Sequence, residues 1–93
     1  MNAYDRFRMV SHDYLEFERV EKKKNSRPDI HALILLSELF PDGTGRMVCY
    51  ASNDEIWLDI TIDQVETLAD DIILELIRCG VRCDECGELL MFV

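Results

Sequence analysis

From Thr61 to Cys79 the apolar residues Ile62, Val65, Leu68, Ala69, Ile72 and Leu76 recur at helical spacing. That spacing predicts one amphipathic helix over about 61–79, with a single face in the core. Its ends are marked as well. Thr61 and Gln64 form a capping box, and Asp63 lies in the first turn, where the helix dipole favours an anion. Arg78 falls in the last turn and Gly80 just beyond it, as a helix stop requires.

Upstream the period changes. RMVCYA (46–51) and EIWLDI (55–60) flank the turn residues SND, a β-hairpin pattern, and VRC with ELLMFV (88–93) can return as a second hairpin across DECG. Tyr14–Val20 alternates, Leu15 and Phe17 against Glu16 and Glu18, which reads as a half-buried strand, although a helical stripe of Phe7, Val10, Tyr14 and Phe17 competes with it. Residues 21–29, with Asn, Ser and Pro, form a loop. The stretch 30–40, IHALILLSELF, is apolar nearly throughout, so periodicity leaves strand and helix both open, and the tight-turn sequence PDGTG (41–45) leading into RMVCYA favours a strand. The sum is an α+β domain: a mostly antiparallel sheet packed against one amphipathic helix.

The chain is 93 residues, one small domain's worth, and its net charge is −9. The charge is unevenly placed. Residues 1–28, a weakly basic lead segment, carry five acids and seven bases, while residues 29–93, an acidic body, carry fourteen acids and only Arg46, Arg78 and Arg82. An acidic body repels phosphate backbones and anionic membranes, so neither nucleic acid nor a membrane is an expected partner. The longest apolar run, Ala32–Leu36, is far short of the roughly 20 residues a membrane span needs. The charged start lacks the apolar stretch of a secretory signal, which places the chain in the cytoplasm with reduced thiols.

Three sets of residues could carry function. Asp54, Glu55, Asp59, Asp63, Glu66, Asp70, Asp71 and Glu75 give a stretch of eight acids without a base, and several stand about 4.5–6 Å apart along the helix axis. Such a row can occupy the basic groove of a protein that normally takes phosphates. Small acidic proteins of mobile elements that block nucleic-acid-handling defence enzymes share this size and charge. The leading reading is therefore a non-enzymatic interaction or inhibitor protein, a nucleic-acid mimic whose partner is a basic protein such as a phage-defence enzyme.

The second set is Cys79, Cys83 and Cys86, in which Cys83-x2-Cys86-Gly87 has the form of a zinc knuckle, with Cys49 or His31 as a fourth ligand. This gives the alternative of a zinc-stabilised adaptor or subunit. Third, a small ligand could lie between sheet and helix near Tyr50 and Trp57, Trp57 itself being expected in the core. No nucleophile motif accompanies His12 or His31, so no catalytic residues are assigned. The apolar end LLMFV is either an inner strand or a pairing edge for a homodimer.

Overall fold

The computed structural model describes residues 1–92. Among them the chain forms four α-helices, α1 (Ala3–Met9), α2 (Pro28–Leu39), α3 (Ile62–Glu66) and α4 (Asp70–Arg78), and four strands, β1 (Val48–Ser52), β2 (Glu55–Leu58), β3 (Val81–Cys83) and β4 (Leu89–Phe92). The strands make one antiparallel sheet in the order β1-β2-β4-β3. The α+β class and both hairpins are as expected. Val93, the last residue of the expected final strand, lies outside the described residues.

The single helix over 61–79 is replaced by two. The capping box forms in full: the Gln64 N–H donates to Thr61 Oγ1 at 3.1 Å, and the Thr61 N–H donates to Gln64 Oε1 at 2.9 Å. The helix then stops at Glu66, and Ala69 takes an extended conformation before α4 begins. No proline or glycine causes the stop. Thr67 Oγ1 at the C-cap donates to the Gln64 carbonyl at 2.6 Å, and Arg6 from α1 takes up carbonyls left free at the break, its Nη2 donating to Leu68 O at 2.6 Å and its Nη1 to Glu66 O at 3.5 Å. In an unbroken helix the Leu68 carbonyl would take the Ile72 N–H; that N–H donates instead to Ala69 O and to Asp71 Oδ1.

The stretch 30–40 is helical as far as Leu39, not the strand that the following turn favours. Pro28 occupies the first turn of α2, where a missing N–H costs nothing, and His31, Ala32, Leu35 and Leu36 share its buried face. Ile30 and Leu39 are exposed, so apolar residues lie on more than one side and mask the period. Tyr14–Val20 is not a strand. It follows a single-turn 3-10 helix, Ser11–Asp13, turns at Leu15 with φ 60°, and contains a second such helix, Phe17–Arg19. The Leu15 N–H caps the end of α4 by donating to Ile77 O at 3.0 Å, and Phe17 packs edge-on against the His31 ring. These long-range anchors override a short local alternation.

One hydrophobic cluster joins the layers. Leu58, Val81, Cys83, Leu89 and Met91 from one face of the sheet meet Phe7 of α1, Leu36 of α2, Val65 of α3, and Ile73 and Leu76 of α4. Leu36, Leu76 and Leu89 are fully buried, each contributing about 1.5–3 kcal/mol relative to exposure. The sheet's other face carries a row of directly opposed residues, Arg82, Leu90, Trp57 and Tyr50. Trp57 is thus on the face away from the helices rather than in the core, and Tyr50 lies beside it there rather than between sheet and helix.

Candidate interaction surface

The eight carboxylates of residues 54–75 do not form one free row. Because the helix breaks after Glu66, the step from Glu66 to Asp70 crosses a non-helical turn. Four of the eight serve as internal anchors. Glu66 Oε1 accepts from the Ala3 N–H at 2.8 Å, and Asp70 pairs with Arg6 at 2.7 Å. Glu75 pairs with His31 at 2.7 Å, and Glu55 with Arg82 at 2.6 Å.

His31 is fully buried, and its Nδ1 accepts from the Lys24 N–H at 3.0 Å. The ring proton therefore sits on Nε2 and is donated to Glu75. Lys24 itself reaches Glu38 at 2.8 Å, and that hydrogen bond raises its pKa above the ordinary lysine value. Part of the Lys22–Lys24 run is thus a clamp between the loop and α2.

Asp54, Asp59, Asp63 and Asp71 remain exposed, and among the described residues none of them is in an ion pair. Asp59 and Asp63 flank the start of α3. Asp59, Asp42 and Arg46 line a hollow of about 370 Å³ beside that start. The β3–β4 turn lies against the same place, since a Cβ on Gly87 would come within 3.3 Å of Ile62 Cγ2. Glu85 and Glu88 of this turn are exposed and likewise unpaired among the described residues. Asp59, Asp63, Glu85 and Glu88 thus lie about the end of the sheet next to α3, whereas Asp54 is in the β1–β2 turn and Asp71 is on α4. Asp84, Glu85 and Glu88 are three acids in five residues, a signal that the cysteines flanking and dividing them overlay with a metal-binding pattern.

The four cysteines are not brought together. Cys49 is exposed on β1, Cys86 is exposed in the turn, and Cys79 and Cys83 are buried. No three His, Cys, Asp or Glu side chains among the described residues are arranged to hold a metal ion. The tight C-x2-C turn is closed by Asp84, whose Oδ1 accepts from the Cys86 and Glu88 N–H groups at 2.9 and 3.0 Å, while Gly87 takes φ +92°. Burial pushes the Cys79 thiol up to about 12, helped by Glu75, and pushes Cys83 likewise to about 12, helped by Asp84 and Glu66. Both stay protonated near neutrality and behave as small core hydrophobes.

Asp13, unremarked in the sequence, is the most connected carboxylate. It is buried and bonds Arg19 at 2.7 Å and Arg78 at 3.3 Å, with His12 at 3.1 Å on its other oxygen. Burial works to raise its pKa, but hydrogen bonding with Glu16 and Arg78 and the charges of Arg19 and Arg78 prevail and hold it below the ordinary aspartate range.

No helix among the described residues is long and apolar enough to cross a membrane. Comparison of the chain with protein-family models, with curated proteins and with solved structures yields no match.

Proposed function

We propose that this protein is a non-enzymatic interaction domain that works in the cytoplasm by binding a basic protein through carboxylates at the α3 end of its sheet. The observation that carries this reading is the division of the acids. Glu55, Glu66, Asp70 and Glu75 are spent on internal contacts, whereas Asp59, Asp63, Glu85 and Glu88 stand exposed about the start of α3 and, among the described residues, enter no ion pair, although Arg46 lines the hollow beside Asp59. Carboxylates held close together on a rigid frame attract a cationic surface without reorganising. Inhibition of a nucleic-acid-handling enzyme fits this charge pattern, with the contact made by a compact patch and not by a helical ladder of phosphate-like spacing.

The test is affinity capture from cytoplasmic extract, comparing the intact protein with Asp59→Lys/Asp63→Lys. The expected result is an identifiable basic protein retained by the native chain and lost by the double variant. It should also be released as salt rises from about 0.1 to 1 M, over which the screening length falls from about 10 to about 3 Å. Retention that ignores both salt and charge reversal overturns the proposal. Changing Glu66 or Asp70 is a poor test, because those residues hold α1 in place.

A further inference from the structure

The outer face of the sheet presents aromatic rings that no helix covers. Tyr50 and Trp57 face each other across β1 and β2 with ring centroids 5.4 Å apart, Tyr50 being 60% exposed. Beyond Trp57 the row continues to Leu90 and Arg82. Leu90 is buried yet stands outside the main core cluster, so its cover comes from this outer layer of side chains.

The same face shows how it handles a cation. The Arg82 guanidinium lies 4.0 Å over the Phe92 ring while its Nη2 donates to Glu55 at 2.6 Å. An aromatic face and a carboxylate thus hold one arginine between them. A ring and a carboxylate also meet farther along this face, where the edge N–H of Trp57 donates to Asp84 Oδ2 at 3.4 Å and the Tyr50 ring stands 5.4 Å from that of Trp57. Among the described residues no cation of this chain lies over Tyr50 or Trp57. Asp84 Oδ2 keeps acceptor capacity, because the backbone bonds of the turn go to Oδ1.

We infer that Tyr50, Trp57 and Asp84 form a seat for an arginine side chain of the cationic partner, the guanidinium stacking on the rings and bonding the carboxylate. Arginine suits the place better than lysine because a planar guanidinium can stack and bond at once. Charge complementarity selects this occupant: Asp84, Glu85 and Glu88 border the rings at one end and Asp54 and Glu55 at the other, and the like charge of a second copy of this chain would be repelled. Rings of this kind, ringed by polar groups, are also the usual anchors of a protein interface. The inference rests on the reading of the protein as a binder of a cationic partner and adds the contact that gives specificity.

The experiment uses the full chain and a labelled peptide of alternating arginine and serine, with a lysine–serine peptide of equal length beside it. Binding is followed by anisotropy, and the Trp57 indole N–H resonance is followed by NMR in the unsubstituted protein. The arginine peptide should bind more tightly than the lysine peptide and shift the indole resonance. Tyr50→Ala, at a site too exposed to endanger folding, should weaken it by about tenfold, the scale of a partly desolvated cation–ring contact. If the arginine peptide binds but Tyr50→Ala and the indole resonance are indifferent while Asp59→Asn/Asp63→Asn weakens it, the arginine seat is refuted and the acidic patch stands. If neither cationic peptide binds, both fall.

Discussion

Gly80 closes α4 at φ +94°, and its N–H donates to Ile77 O at 2.9 Å. A Cβ there would sit 2.8 Å from Leu15 Cδ2. Leu15 can swing its flexible side chain aside, so most of the penalty for a substituent is the left-handed backbone itself. Gly80→Ala is expected to destabilise the protein by about 1–3 kcal/mol, read as a lower denaturant midpoint with unchanged slope. An equal or higher midpoint would show that the backbone relaxes freely there. The need for glycine here was readable from its place after Arg78 and Cys79. That Leu15 would also take a positive φ and cap the same helix was not readable, because a leucine carries no such preference.

At the scale of elements, α1 is the piece that organises the others. Arg6 reaches Asp70, the Leu68 carbonyl and the Glu66 carbonyl, while the Ala3 N–H reaches Glu66 Oε1. These contacts meet the end of α3 and the start of α4 and hold both to the lead segment. Removing the guanidinium by Arg6→Ala should cost about 1.5–3 kcal/mol, the range for hydrogen bonds to charged groups. Amide exchange should accelerate in residues 3–9 and around 66–70, whereas the β2–β4 pair keeps its protection. Uniform acceleration across the sheet would mean that α1 is not a separate fastening. Local signals predicted the α3 cap and the hairpins, since a capping box, the two-residue turn between β1 and β2 and the five-residue turn between β3 and β4 act within a few residues. The break at 67–69 has no such signal. Its free carbonyls are met by a side chain some 60 positions away.

Over the whole molecule, the uneven charge of the chain becomes a set of fastenings. The lead segment's Arg6, Arg19 and Lys24 pair with Asp70, Asp13 and Glu38, and Arg78 of the body returns to Asp13. Asp13 therefore ties the lead segment to α4, and its depressed pKa makes the tie sensitive to acid. The unfolded chain, with the ordinary aspartate value of 3.8, binds a proton before the folded chain does. The stability that Asp13 contributes is full above that value and is lost as the pH falls through the lower folded value. Asp13→Asn should lower stability near neutrality and flatten the decline of the unfolding midpoint below about pH 4. Parallel pH profiles for the two proteins would show that Asp13 is not a source of the acid response.

The α+β class, the antiparallel hairpins, the α3 cap, the Gly80 stop and the acidity of the body were determined by the sequence itself, because each depends on neighbours or on composition alone. Tertiary structure decided the helix at 28–39, the turn and 3-10 helix within 14–20, the split of the long helix and the outward position of Trp57. In each of these the local pattern was compatible with two answers, and burial against a distant partner chose between them. The same holds for the site. Eight carboxylates in a row were legible, but which would be drawn inward by Arg6, His31, Arg82 and the Ala3 N–H, and which would meet Glu85 and Glu88 at the end of the sheet, depended on the packing of the whole chain.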